Sequence, residues 1–312
     1  MYLQQKNLKT LSIVLLLSLF STNLIANESA KRQNTISAIN NIVEEAMDDE
    51  SKVAHEINLA GKQRMLTQKM SKEIILIALN VEPKRNRERL KKTSTLFDKT
   101  INGFLKGDST LSLSATTEKP IIAQIEKIIK HWEKFNTHVK SIIKKKSIDT
   151  ASLIYVINNN IPLLKESHKL VLLYKQNTTR ILAPIEKDLR NIIDLAGKQR
   201  MLTQKMTKEK ILIIGGLRVK ENEKLLLSSV NLFDKTLKGL IRGDKDLGLP
   251  GVTNSDLKKQ LLTVKSIWNE LKPLYKKADI SNQELAIIID KNLPLLKEMN
   301  KAVNMFEKTS DF

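Results

Sequence analysis

Residues 57–70 read INLAGKQRMLTQKM, and residues 193–206 read IDLAGKQRMLTQKM. The two blocks differ only at Asn58 and Asp194, and they lie 136 positions apart. The same offset relates the Gly-Asp pairs that begin at Gly107 and Gly243, and it relates Trp132 to Trp268. Two copies at so long a period indicate duplicated domains rather than a solenoid of short repeats.

The offset falls to 132 after the tryptophans, where the segment from Pro162 to Glu166 matches the segment from Pro294 to Glu298. We therefore predict that the second copy has lost about four residues in the loop between its last two helices. The predicted domains are copy one over residues 27–178 and copy two over residues 179–312.

The composition favours helices, because 312 residues contain only 10 Gly, 7 Pro and 4% aromatic residues. The pattern predicts helix one from about Ser37 to Leu79, helix two over 83–106, helix three from Pro120, and helix four from about Thr150, with a kink at Pro162. A further break is expected near 183–184, between the copies. No two-residue alternation appears. The predicted fold class is all-α, with two tandem antiparallel four-helix bundles related by internal duplication.

The formal net charge of +19 raises nucleic acid, anionic membranes and small anions as partners. The N-terminus carries Lys6 and Lys9 before an apolar stretch over 11–20, which predicts a secretory signal over residues 1–26. An uncleaved anchor is the alternative. We expect an exported, periplasmic protein, and export argues against nucleic acid. The absence of cysteine excludes disulfide scaffolds, thiolate metal sites and thiol nucleophiles.

The repeated block has two faces when it is drawn as a helix. One face carries an ordinary core stripe of Leu59, Leu66, Met70 and Ile77. The opposite face lacks the lysines and glutamates of a solvated surface and carries Ile57, Gly61, Arg64, Met65, Gln68 and Ile75. A glycine allows a partner backbone to approach closely, so this face is expected to meet another helix.

A buried arginine needs a partner, and no acid is expected on this face. If the two faces pack, Arg64 and Arg200 repel each other unless a small anion lies between them. The forked guanidinium suits a planar oxyanion. The predicted ligand-binding residues are Gly61, Arg64, Gly197 and Arg200, with Met65, Gln68, Met201 and Gln204 as further candidates.

Catalytic and metal chemistry find little support in the sequence. The four histidines, His55, His131, His138 and His168, all lie in copy one, and copy two does not repeat them. No nucleophile–base arrangement, paired-acid pattern or glycine-rich phosphate loop appears. We expect no enzyme activity, no cofactor and no metal site. The two tryptophans are expected to be core anchors, with Asp98 and Asp234 on a helix surface.

The block over 57–70 resembles the helix-one motif of the PilJ-type sensor domain, the N-terminal domain of the type IV pili methyl-accepting chemotaxis transducer. That domain is related to the periplasmic domain of the NarX/NarQ nitrate- and nitrite-sensing histidine kinases. In the nitrate-sensor branch, two motif arginines hold one planar anion across a dimer axis. The resemblance implies the same role for Gly61, Arg64, Gly197 and Arg200, although Gln63 and Gln199 follow the PilJ-type pattern and not that of the kinases.

Three functions are compatible with the sequence. The first is an exported, non-enzymatic sensor that binds nitrate or nitrite and passes its state to a membrane receptor or sensor kinase. The second is a helical protein–protein interaction module that works with a chemoreceptor, pilus or sensor-kinase system without a small ligand. The third is a basic adaptor for anionic lipid or envelope polymer. The even spread of the lysines along the chain argues against this third function. The copies could pair within one chain or across a homodimer.

Overall fold

The computed structural model describes residues 28–145, 147–176 and 184–308. The predicted signal over 1–26 and the predicted break at Ala183 lie outside these residues. The chain divides into two compact units, residues 1–50 and residues 51–312. In the first unit, the described residues 28–50 are helical. Both repeated blocks lie in the second unit, which carries the candidate site.

The described residues form eight α-helices and no strand, so the predicted all-α fold of tandem four-helix bundles is confirmed. Copy one contributes the first four helices and copy two the last four. Their bounds are α1 Glu28–Ala78, α2 Pro83–Lys106, α3 Lys119–Lys144, α4 Thr150–Gln176, α5 Pro184–Ile214, α6 Val219–Arg242, α7 Ser255–Lys276 and α8 Asn282–Lys308. None of these helices is long and apolar enough to cross a membrane.

Local signals explain where several helices begin and end. Pro83 stands at the start of α2, where its missing N–H costs nothing, and Gly107 ends the helix with a φ of 80°. Gly243 ends α6 in the same way with a φ of 91°. Helix α7 begins after Asn254, whose side chain accepts a hydrogen bond from the Leu257 amide. Helix α1 begins at Glu28, earlier than the predicted Ser37, because the polar sequence before Ser37 is also compatible with a helix.

The four-residue deletion lies in a helix, so its predicted place in a loop was wrong. Helix α3 has 26 residues and α7 has 22, whereas the spacing from α3 to α4 equals the spacing from α7 to α8. Four residues are close to one helical turn of 3.6 residues. Shortening the helix by one turn therefore keeps its buried face directed at the core.

Helices α1 and α5 lie at the centre of residues 51–312. Every residue from Ile57 to Ile77 is buried except Lys62 and Lys69, which are half-buried. The same holds from Ile192 to Leu212, apart from three half-buried side chains. One continuous hydrophobic core includes residues from both copies. Both faces of each repeated block are thus packed, and its polar side chains must find partners inside the protein.

Candidate functional site

The two predicted arginines meet between the central helices. Arg64 of α1 and Arg200 of α5 are each 1% exposed. Their Nη2 atoms lie 3.2 and 3.6 Å from the point that a Cβ on Gly61 would occupy, and both lie 3.4 Å from the corresponding point on Gly197. The structure therefore brings together all four principal residues of the predicted site. The missing side chains of the glycines leave the space into which the guanidinium groups extend.

Each arginine also binds the backbone of the opposite helix. Arg64 Nη2 donates to the carbonyl oxygen of Asp194 at 3.2 Å, and Arg200 Nη2 donates to the carbonyl oxygen of Asn58 at 3.1 Å. Positions 58 and 194 correspond in the two copies. The two helices are thus related by an approximate twofold relationship, which is the arrangement that a symmetric anion site requires.

The side chain at position 194 breaks this symmetry. The Asp194 carboxylate accepts a 2.7 Å hydrogen bond from Arg64 Nη1, and both side chains are 1% exposed. The expectation that no acid lies on this face was wrong. A helical projection compares residues on one helix, whereas this ion pair crosses from α1 to α5.

Two lysines hold the other oxygen of Asp194, Lys175 at 3.0 Å and Lys198 at 3.1 Å. Burial alone would raise the pKa of Asp194, but the charges of Arg64, Lys198 and Lys175 hold that pKa well below its usual range. Asp194 is therefore ionised at neutral pH.

Arg200 has a different environment. Its Nη1 donates to the Asn300 side-chain oxygen at 2.9 Å, and no carboxylate of a described residue lies within ion-pair distance of it. Burial, and then repulsion by Arg64, lower the pKa of Arg200 to about 9. The Nε atoms of both arginines are buried without a hydrogen-bond partner among the described residues. The site thus holds a cation without a direct counterion, and unused N–H donors.

His168 contacts the other guanidinium, with its Nδ1 atom 3.2 Å from Arg64 Nη1. Burial, and then the charge of Arg64, lower the pKa of His168 to about 4, so its ring is neutral at pH 7. His168 corresponds to Asn300 at the offset of 132. Both copies therefore place a neutral polar group of the last helix beside the arginine.

A layer of buried lysines lies further along the same helix pair. Lys72 Nζ donates to Gln204 Oε1 at 2.8 Å, and Lys208 Nζ donates to Gln68 Oε1 at 2.8 Å. The other acceptors of these lysines are the side-chain oxygens of Asn292 and Asn160. Burial lowers the pKa of Lys72 to about 7 and that of Lys208 to about 8.

The secondary candidates therefore have partners inside the protein. The amide oxygens of Gln68 and Gln204 accept hydrogen bonds from the lysines, and their nitrogens donate to Thr67 and Thr203. Met65 is buried and Met201 is half-buried. A ligand-binding role for these four residues stays a prediction.

The tryptophans and the repeated aspartates form matched pairs. Trp132 Nε1 donates to Asp98 at 2.7 Å, and Trp268 Nε1 donates to Asp234 at 3.0 Å. Both indole rings are buried and pack against Phe97 or Phe233. Asp98 and Asp234 thus anchor the core tryptophans in addition to lying near the helix surface.

Sequence reasoning missed the residues that complete the site. They are Asp194, His168, Asn300, Lys72 and Lys208. One signal was available: position 58/194 is the single difference between the two blocks, and the difference is a charge. His168 and Asn300 correspond in the two copies, but nothing in either residue alone indicates contact with an arginine.

The family profile described as "Type IV pili methyl-accepting chemotaxis transducer N-term", PilJ, matches residues 46–153 and 186–290. The chain belongs to the PilJ family. One match lies in each predicted copy, which agrees with two tandem PilJ domains. The PilJ family is non-catalytic, and membership indicates a sensory or interaction module. No curated protein sequence matches the chain.

Proposed function

We propose that this protein is an exported, non-enzymatic sensor that binds one small planar oxyanion, nitrate or nitrite, between the Gly-x-x-Arg faces of α1 and α5. The observation that carries the proposal is the approach of two buried guanidinium groups over Gly61 and Gly197. Like charges are costly in a low-dielectric interior, the Asp194 carboxylate binds Arg64 and not Arg200, and a forked guanidinium matches the shape of a planar oxyanion.

The unused donors support the same proposal. A guanidinium has five N–H donors, and the Nε–H groups of Arg64 and Arg200 have no acceptor among the described residues. An oxyanion supplies such acceptors and offsets the cost of burying those donors. The resemblance of the blocks to the nitrate-sensor motif points to nitrate and nitrite as the first ligands to test.

The proposed location and partners rest on the family and on the N-terminal sequence. We propose that residues 1–26 direct export to the periplasm, and that the protein works with a membrane chemoreceptor, pilus or sensor-kinase system. The site combines two half-sites of one chain, so a homodimer is not needed to build it.

Calorimetric titration of the full chain with sodium nitrate and sodium nitrite tests the proposal. We expect one bound anion per chain, and loss of the binding heat in Arg64→Ala and Arg200→Ala. Arg85→Ala is the matched control, because Arg85 is exposed and its removal changes the net charge equally. Absence of binding to the unsubstituted protein at millimolar anion would contradict the proposal.

The alternative is an interaction module without a small ligand. Large apolar side chains are exposed near the ends of the central helices, among them Leu79, Ile214 and Leu217. Under this alternative, Arg64→Ala would lower stability or partner binding, and nitrate would change neither.

A further inference from the structure

The two halves of the arginine site carry different charges, although their backbones match. In one half, the Asp194 carboxylate binds Arg64 directly. In the other half, Arg200 binds the Asn58 carbonyl and the Asn300 amide oxygen, and no carboxylate of a described residue pairs with it. Asp194 thus supplies a carboxylate to Arg64, Lys175 and Lys198, whereas Arg200 has no carboxylate of a described residue within ion-pair distance.

We propose that Asp194 is a built-in counterion that limits the site to one anion of single negative charge and leaves Arg200 as the guanidinium that receives it. This inference rests on the proposed function, and it names the charge class of the ligand. Nitrate and nitrite fit this class, whereas sulfate and hydrogen phosphate exceed the single charge of a guanidinium that has no carboxylate in direct contact among the described residues.

The groups around Asn58 explain why the nearby carboxylate of Glu307 does not bind Arg200 directly. The Asn58 amide nitrogen donates to the carboxylate of Glu307, while its side-chain oxygen has no hydrogen-bond partner among the described residues. Glu307 also pairs with His55. The Glu307 carboxylate therefore contacts Asn58 and His55, and its charge raises the pKa of Arg200 only from a distance. Glu307 corresponds to Lys175 at the offset of 132, so the charge beside position 58 is opposite to the charge beside position 194.

Asp194→Asn removes the counterion with little change of shape. Asparagine already occupies the equivalent position in copy one, so the variant is expected to fold. We expect the affinity for nitrate to rise about tenfold, because Arg64 is released to share the ligand. We also expect sulfate to bind this variant and not the unsubstituted protein.

The reciprocal variant moves a carboxylate towards Arg200. In Asn58→Asp combined with Glu307→Gln, the total charge is unchanged and two carboxylates do not meet. We expect its affinity for nitrate to fall at least tenfold. Glu307→Gln alone is the matched control and should keep nitrate binding.

Titrations of these full-length proteins with sodium nitrate and sodium sulfate, at constant ionic strength, separate the outcomes. If the unsubstituted protein binds nitrate but Asp194→Asn binds it no better and still rejects sulfate, the counterion role is overturned and the proposed function stands. If only Asp194→Asn binds nitrate, Asp194 is a counterion that closes the site, and the proposed function fails. If nitrate binds to neither protein, both the counterion role of Asp194 and the proposed function are overturned. Should Asp194→Asn fail to fold, unchanged nitrate binding by the reciprocal variant overturns the inference.

Discussion

The carboxylate of Asp194 in α5 binds the guanidinium of Arg64 in α1 at 2.7 Å, and both side chains are almost completely buried. A buried ion pair of this kind depends on both partners, because the remaining charge has no water to solvate it. The pair joins the two copies directly, so its effect on stability can be measured.

We expect Asp194→Ala to lower the free energy of unfolding by about 3–5 kcal/mol, since Arg64 would stay buried without its counterion. Asp194→Asn should cost less, because an amide oxygen can still accept from Arg64. Urea unfolding followed by circular dichroism gives both values. Arg85→Ala removes an exposed ion pair and should change stability by less than about 1 kcal/mol. Equal effects of Asp194→Ala and Arg85→Ala would show that the buried ion pair contributes no more to the free energy of unfolding than an exposed one.

Gly61→Ala tests the space beside the guanidinium groups. The added Cβ would lie 3.2 Å from Arg64 Nη2, which is closer than an ordinary contact, and 3.6 Å from Arg200 Nη2. We expect nitrate affinity to fall at least about tenfold, because the added methyl group crowds the guanidinium groups. Stability should change little, because alanine favours the helix over glycine by roughly 1 kcal/mol and this gain offsets the crowding. Gly197→Ala, with both distances at 3.4 Å, should have the weaker effect. Nitrate titration and thermal unfolding of both variants decide the matter, and full nitrate affinity in Gly61→Ala would contradict the assignment of the site.

The buried lysines predict a stability that rises with pH. The folded-state pKa values of Lys72 and Lys208 are about 7 and about 8, whereas an unfolded lysine has a pKa near 10.4. Between these values the unfolded chain binds more protons, so the free energy of unfolding increases with pH, by at most about 1.4 kcal/mol per pH unit for each lysine. The charged neighbours of Lys72 are Glu73, Lys69 and Arg89. Those of Lys208 are Glu209, Lys205 and Glu221.

Urea unfolding at pH 7, 8 and 9 measures this slope. The double variant Lys72→Met/Lys208→Met should flatten it, whereas Lys165→Met, which alters a lysine outside this layer, should not. A slope that is unchanged in the double variant would show that these two lysines do not titrate in this range.

Asp98→Ala should lower the free energy of unfolding by about 1–3 kcal/mol, because the Trp132 indole N–H would stay buried without an acceptor. Tryptophan fluorescence and circular dichroism should report the same unfolding transition. Asp246→Ala is a suitable control, since Asp246 is strongly exposed. A loss in Asp98→Ala no larger than in the control would mean that water replaces the carboxylate.

The sequence predicted the helices where local signals are strong. Helix α2 was expected over 83–106 and has those bounds, because Pro83 fixes its start and Gly107 its end. The packing of the Gly61 and Arg64 face against another helix was also expected, because that face lacks the lysines and glutamates of a solvated surface, but the sequence left open whether the partner is Arg200 of the same chain.

Contacts between helices were harder to predict from the sequence. The pairing of Asp194 with Arg64 depends on the register of α5 against α1, which no intrahelical spacing reveals. Lys72 and Lys208 resemble surface lysines in a chain with 53 basic residues, and only the packing shows them buried. The four-residue deletion was located between two matching segments, but the sequence could not say that the helix itself had shortened.

The difference between Asn58 and Asp194 has a genetic consequence. In a dimer of identical chains, one codon specifies the residue on both sides of the axis, so every substitution appears twice. Here the two sides are encoded separately, and a single mutation can alter one guanidinium's surroundings while the other keeps its own. Duplication within one gene thus allows the two halves of the central helix pair to diverge independently.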